Sequence, residues 1–351
     1  MFTGTYTGSG SKGIYVYKFN AGSGRTTLLS NTNDVVNPSY LTISPDGHYV
    51  YAVNETHGSD SGRVSAFAFN TRNATLDFIN SETTGGDDPC YVSVDGTGQW
   101  LMAANYSSGS ASVFPLKRNG ALEPRVQLMQ DSGTGIVKGR QQKAHVHSTV
   151  FSPDQKYLFT PDLGLDKIMI YRFNANAKKP LSPAKVPFEK AMDGEGPRHL
   201  TFHPNKKYAY LVSELMGTVS VYKYDNGKLD KIQDVPTHPE DYKGTIGSAD
   251  IHVSPDGKFL YASNRGDENT ITIFSIDNKT GKVKLKGYQP VLGKTPRNFI
   301  IDPTGSYLLV ANQDSDNIVI FKRNKTTGLL TATGMEIQVP KPVCLQMLRI
   351  K

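Results

Sequence analysis

YLTISPDGHYVYAVN, residues 40–54, reads as two apolar, alternating stretches joined by a Ser-Pro-Asp-Gly turn. Period-two alternation rich in Val, Ile and Tyr predicts half-buried strands. Pro presets φ at the second turn position, Asp accepts local backbone hydrogen bonds, and Gly takes the positive φ that closes the hairpin. The following RVSAFAFN (63–70) and LDFINSE (76–82) continue the alternation, so the unit holds four strands. The turn phrase then recurs, as SPDG at 44–47, DGTG at 95–98, SPDQ at 152–155, HPNK at 203–206, SPDG at 254–257 and DPTG at 302–305. Its second residues, Pro45, Gly96, Pro153, Pro204, Pro255 and Pro303, stand 51, 57, 51, 51 and 48 residues apart. One four-stranded unit per ~50 residues is the spacing of propeller blades.

Six units are complete, and the two chain ends supply a seventh. KGIYVYKFN (12–20) matches the third strand NIVIFKRN (317–324), and KPVCLQMLRI (341–350) matches the first strand TPRNFIIDP (295–303). Sharing a blade between the termini removes open sheet edges and ties both ends into the ring. The fold expected is all-β: a seven-bladed β-propeller of four-stranded antiparallel blades, forming one domain over residues 1–351.

Composition agrees and narrows the function classes. The chain has 33 Gly, 20 Pro, 18 Tyr and 15 Phe among 351 residues, with 20% charged residues, which argues against coiled coils, helical bundles and disordered tails. No apolar run approaches the ~20 residues of a membrane-spanning helix, so no membrane partner is expected. The opening MFTGTYTGSGSKG lacks the basic start and apolar middle of a secretory signal, so a cytoplasmic location is expected. The two cysteines, Cys90 and Cys344, are read as free thiols of a reducing compartment. The net charge of +7 is scattered, without blocks of like charge or basic runs interleaved with aromatics, so a small anionic ligand fits better than nucleic acid.

The repeat register also locates a candidate site. In each blade the first strand lies nearest the axis and the Pro-Asp-Gly turn sits at one face. The start of strand one and the end of strand two therefore meet at the other face, around the channel mouth. Six residues before each anchor the ring reads Ser39, Cys90, His147, Arg198, Ala249 and Arg297, closed by Val343. Ten residues after, it reads Glu55, Tyr106, Leu163, Glu214, Arg265 and Gln313, closed by Tyr6. A purely structural repeat carries one residue type at equivalent positions, and these rings do not. Three long connections, residues 127–143, 178–196 and 231–247, are expected to enter this face and wall a pocket. A gathering of Arg, His and Glu without a metal-ligand set suits acid–base chemistry on an anion.

RQQKAHVHS (140–148), GPRHLTFHP (196–204), VSELMGTVSVY (212–222), SADIHVSPDGKFLYASNRG (248–266) and TPRNFIIDPTG (295–305) resemble the lactonase propeller family, over essentially the whole chain. The resemblance implies that the His, Arg, Glu and Arg proposed for catalysis in its lactonising members correspond to His147, Arg198, Glu214 and Arg265. It implies hydrolysis of a sugar-acid lactone such as 6-phospho-D-glucono-1,5-lactone, or lactone formation from a muconate-type diacid on the same residues. In the hydrolytic reading His147 is the general base, with Glu214 orienting it or exchanging roles with it. Arg198 and Arg265 bind the oxyanion and the substrate's anionic group, because paired planar donors match carboxylate and phosphate. Arg140, Lys143 and Arg297 are candidate phosphate anchors at the rim, Glu55 and Gln313 further binding residues, and Asp250 a residue that orients the site. No metal and no cofactor is expected.

Other signals are given their plainer reading. His145 and His147 face one side of a strand, but no third ligand has recognisable spacing, and His145 suits a blade-interface hydrogen bond, as does His252. The stretch Gly8-Ser9-Gly10-Ser11-Lys12-Gly13 precedes a strand instead of the helix that phosphate binding uses. The Asn-x-Ser/Thr triplets at Asn54, Asn73, Asn105, Asn278 and Asn324 fall in turns or at the Asn that ends strand two, and Cys90 lacks a His in its own blade. Trp100 is read as packing. A non-catalytic propeller scaffold is disfavoured, since the Trp-Asp dipeptide of many such repeats is missing and the polar residues gather at one mouth.

Overall fold

The computed structural model describes residues 1–350 except Ser9, Asp34 and 59–61; Ser9 of the glycine-rich stretch and the terminal Lys351 lie outside the described residues. Seven four-stranded antiparallel sheets surround a central channel. Blade 1 is Leu41–Ile43, Tyr49–Asn54, Arg63–Asn70 and Thr75–Thr83, against the four strands read at 40–82. Blades 2 to 6 start at Pro89, Val150, Pro197, Ser248 and Pro296. Blade 7 closes the ring: Pro342–Gln346 is its first strand, and Phe2–Thr5, Ile14–Phe19 and Thr26–Thr32 follow outward, so Phe2 pairs with Gln346 and Thr3 with Leu345. No described helix is long and apolar enough to cross a membrane.

The second strand of each blade is buried on both faces, which is why it reads as a near-continuous apolar run. YVYAVN, WLMAAN, YAYLVS, FLYASN and YLLVAN are buried almost throughout, packing between neighbouring blades. The fourth strands are solvated edges. Leu181–Lys190 and Lys228–Pro236 occupy much of two stretches expected as loops, because an exposed, polar, Pro-containing edge strand carries no apolar signature. The true connections at the mouth are shorter, 191–196 and 237–247, with 131–149 ahead of blade 3.

Each blade's first strand starts with a local irregularity that serves the channel. Asn37, Asp88, Gly196, Thr295 and Lys341 take positive φ, and each directly precedes a proline. Beyond these prolines the strand register shifts between Pro89 and Tyr91, Pro197 and His199, and Pro296 and Asn298. A bulge leaves one residue out of the ladder and re-aims its side chain. The residues so released are Cys90, Arg198 and Arg297, three members of the inner ring. In blade 5 the shift between Ser248 and Ile251 releases Ala249 and Asp250. In blade 3 strand one shrinks to Val150–Phe151, with a lone bridge from Val146 to Asp162 holding the chain ahead of it.

Candidate active site

At the mouth opposite the Pro-Asp-Gly turns lies a cavity of about 240 Å³ lined by Glu55, Cys90, Tyr106, Arg140, His147, Glu214, Arg265 and Arg297. Its centre is Glu214. The Glu214 carboxylate accepts hydrogen bonds from Arg140 on Oε1 and from Arg198 Nε on Oε2, and Arg265 Nη2 forms an ion pair with Oε2, the latter two at 2.9 Å. Burial works to raise the Glu214 pKa, but Arg265, Arg198 and Arg140, with His147, hold it well below the usual carboxylate range. An anion so clamped cannot take up a proton near neutral pH, so the geometry makes Glu214 a fixed charge that aligns guanidiniums.

His147 has the opposite disposition. It is 4% exposed, and burial together with the charge of Arg198 drives its pKa well below the ordinary histidine value. Its Nδ1 lies 3.7 Å from Cys90 Sγ, and no described protein group hydrogen-bonds Nε2. A neutral imidazole with a free nitrogen at a cavity wall is a competent proton acceptor. The histidine near Cys90 thus comes from the next blade, which in-blade reasoning could not see. The thiol is held protonated, however, because burial first and Glu55 second raise its pKa far above the usual range.

Arg198 is buried to 1% exposure and lines a small hollow below the cavity together with Ser39, Tyr40, Cys90, His199, Arg297, Asn298 and Val343. Besides Glu214, its guanidinium donates to the Ala249 carbonyl and to His199 Nε2. His199 in turn donates Nδ1–H to Asp250 at 2.8 Å, a tautomer set by having Arg198 on its other nitrogen. Asp250 also accepts from His252 Nε2 at 2.9 Å and from Asn298 Nδ2 at 2.5 Å. Burial opposes this carboxylate, but His252 and the bond from His199 keep its pKa far below normal. Under the cavity Tyr40 stacks on Tyr91, 4.0 Å between ring centroids, and His199 sets its edge against both.

The expected residues therefore divide. His147, Glu214, Arg265, Arg297, Arg140 and Glu55 line one cavity. Arg198 and Asp250 lie beneath it, as supports of its walls. Lys143 is exposed and lines no part of the cavity. Gln313 is turned aside, its Nε2 donating to Asp314 at 3.3 Å, so its ring position does not bring it to the cavity wall. Tyr106, a ring member with no assigned role, lines the cavity, stacks on His145 at 4.4 Å and meets Arg140 through its hydroxyl. His145 makes a blade-interface bond to the Tyr106 carbonyl, 3.0 Å. His252 bonds Asp250 on its own strand and sets its ring edge against Phe299 of the next blade. His199 was missed, because a histidine one residue beyond a ring position carries no mark in sequence.

Comparison with known proteins agrees with the fold over nearly the whole chain. Residues 1–347 match the family model described as Lactonase, 7-bladed beta-propeller. A protein of Formosa agariphila named 6-phosphogluconolactonase is 42% identical over 349 residues, covering 99% of each chain. One of the same name from Bacillus subtilis is 33% identical, over 99% of this chain and 97% of its own. The solved structure of a periplasmic gluconolactonase from Pseudomonas aeruginosa superposes with a TM-score of 0.93 at 38% identity, covering 97% of this chain and 96% of that one.

Proposed function

The chain belongs to the lactonase seven-bladed β-propeller family, and from that premise we propose that it opens 6-phospho-D-glucono-1,5-lactone to 6-phosphogluconate by water addition at the channel mouth. The observation that carries the chemistry is the pairing, in one cavity, of a neutral His147 with a carboxylate locked by guanidiniums. Water attacks the lactone carbonyl carbon while the His147 imidazole takes its proton, and the carbonyl electron pair moves onto oxygen. The tetrahedral oxyanion collapses, the ring C–O bond breaks, and the imidazolium returns the proton to the departing ring oxygen. Lactone and water thus become an acid and a hydroxyl, with the imidazole regenerated.

The electrostatics favour an anionic substrate. Arg140, Arg198, Arg265 and Arg297 meet the carboxylates of Glu55 and Glu214, and His147 adds no charge, so positive charge is in excess where the substrate enters. Arg140 stands at the outer wall with its side chain 44% exposed and with donors left over, and we assign it the phosphate. Arg198 acts through Glu214 as a positioning residue. Both cysteines are free thiols, in keeping with a cytoplasmic location.

The test is 6-phosphogluconolactone hydrolysis above the spontaneous rate by wild type, His147→Ala and Arg198→Ala. Acceleration by the wild type that collapses in His147→Ala supports the assignment. Full activity in His147→Ala removes the imidazole from the reaction, and a wild type inert on this lactone but active on a muconate sends the same residues to lactone formation.

A further inference from the structure

The four guanidiniums at the mouth are not equivalent. Arg140 and Arg198 donate to Glu214, Arg265 Nη2 forms an ion pair with it at 2.9 Å, and Arg265 Nε donates to the Gly247 carbonyl at 3.0 Å. Arg297 lines the same cavity and donates a hydrogen bond to no described residue; its nearest carboxylate oxygen is Glu55 Oε2 at 3.8 Å, beyond hydrogen-bond reach. It lies over the Tyr6 ring, 5.4 Å to the centroid. Glu55 mirrors it. Its Oε1 accepts the Tyr6 hydroxyl at 2.8 Å, while its buried Oε2 accepts a hydrogen bond from no described residue. Buried polar groups are ordinarily satisfied, and the exceptions call for a partner. Here a fixed donor and a fixed acceptor stand side by side, opposite the Glu214 cluster.

Resting on the hydrolase reading above, we infer that Arg297 and Glu55 together read the α-hydroxy acyl unit of the lactone. Arg297 donates to the carbonyl oxygen and stabilises the oxyanion it becomes, and Glu55 accepts from the hydroxyl on the adjacent carbon. A neutral O=C–C–OH unit presents an acceptor and a donor on neighbouring atoms, matching one guanidinium and one carboxylate held side by side. A phosphate dianion would not match, because it would face the Glu55 carboxylate at close range. The phosphate therefore stays at the outer wall. The bulge at Arg297 and the Tyr6 hydrogen bond on Glu55 pre-set both groups, so the ligand does not have to order them. Glu55 is then a specificity-determining residue and Arg297 a catalytic one.

Two lactones decide the matter: 6-phosphogluconolactone and its 2-deoxy analogue, which lacks only the α-hydroxyl. A site that hydrogen-bonds a substrate hydroxyl rejects the analogue strongly, so wild-type kcat/KM should favour the hydroxylated lactone by at least about 100-fold. Glu55→Met should abolish most of that preference by lowering kcat/KM for the hydroxylated lactone while leaving the 2-deoxy lactone within about threefold. Tyr6→Phe, which frees Glu55 without removing it, should shift the ratio the same way by less. Arg297→Lys should lower kcat on both lactones by about 10²–10³ with KM little changed. Equal loss on both lactones in Glu55→Met, with an unchanged melting temperature, overturns the hydroxyl assignment. A rise in KM for phosphorylated lactones alone in Arg297→Lys makes Arg297 a phosphate anchor and overturns its oxyanion role. Wild type that hydrolyses both lactones equally refutes this inference and leaves the hydrolase reading intact; wild type that hydrolyses neither refutes both.

Discussion

The two ends of the channel are built on the same backbone repeat and differ in what the repeat does to side chains. At the turn face one task recurs: an acceptor must take the first N–H of strand two. Ser44 Oγ does this for Tyr49, Ser152 Oγ for Tyr157 and Ser254 Oγ for Phe259, each serine also bonding the turn aspartate. Where the serine is replaced, Asp95 and Asp302 do it directly for Trp100 and Tyr307. At the mouth face bulges take Cys90, Arg198 and Arg297 out of the ladder, the ring side chains carry no part of the turn, and there the blades diverge into His147, Arg198, Arg297, Glu55 and Glu214. Positions that serve the backbone repeat, and positions released from it can specialise.

The sharpest way to break that comparison is to cross it with kinetics. His147→Ala should cost about 10²–10⁴ in turnover, whereas Asp154→Ala at the turn face should lower the melting temperature and leave turnover alone. Because burial and Arg198 lower the His147 pKa, the base stays unprotonated to lower pH; on an unphosphorylated lactone the acid limb of kcat/KM should lie below the ordinary histidine value of about 6.5. A limb at or above that value would contradict the cavity electrostatics.

Asp250 tests whether the layer under the mouth is structural support. Asp250→Ala leaves His199, His252 and Asn298 without their acceptor and should destabilise by about 3–5 kcal/mol, with activity falling as Arg198 loses its anchor. The folded-state pKa of Asp250 is depressed, so its stabilisation is fully present above its unfolded value of about 4 and is lost only as pH falls below that. Asp250 also raises the pKa of its partner His252, and that share of the stabilisation fades as pH rises through the histidine range, so chemical denaturation should give a larger wild-type-to-mutant difference at pH 6 than at pH 8.

A third prediction concerns a departure from the repeat inside the ring. Where strand two of the other complete blades ends in Asn or Ser, blade 3 ends in Asp162, and it faces Asp131 from blade 2. Both are buried with an unpartnered Oδ2, and burial, with Asp162 acting on Asp131, raises both pKa values. A raised folded-state pKa means stability is lost as pH rises. Asp131→Asn should thus stabilise the protein, by more at pH 8 than at pH 5; a gain independent of pH would show that the pair holds no shared proton.

The smallest effect sharpens the turn-face side. The fourth turn residue is Gly47, Gly98, Gly257 or Gly305 at φ near +70°, but blade 3 places Gln155 there at φ 58° and blade 4 places Lys206 there at φ 65°. Lys206 is exposed, so Lys206→Gly relieves a left-handed conformation without losing packing and should gain up to about 1 kcal/mol. The reverse change, Gly257→Ala, should destabilise, since its Cβ would also meet the His203 ring at 2.8 Å.

Much of this was legible in the sequence because it is local. The Pro-Asp-Gly turns and period-two runs place strands within a few residues, and the match of 341–350 to a first strand identifies the closing blade. The mouth rings follow from register alone, which carried His147, Glu214, Arg265, Arg297 and Glu55 to one cavity. Outer strands such as Leu181–Lys190 were not legible, since a solvated edge has no burial to pattern its residues. Gln313 was placed at the mouth by register and Lys143 at the rim by its place at the end of the connection 127–143, yet neither says whether a side chain turns inward.

Read alone, the sequence determined the blade, the number of blades, their closure and the face where polar residues collect, because each depends on spacing along one strand or hairpin. Only the tertiary structure decided which groups satisfy one another. Glu214 is clamped by Arg140, Arg198 and Arg265, which lie 74, 16 and 51 residues from it in the chain, while Arg297, in the same ring as Arg198, is left with open donors. Hydrogen-bond partners across blade boundaries are set by how neighbouring sheets pack and where each bulge turns a side chain, and no periodicity along the chain encodes that choice.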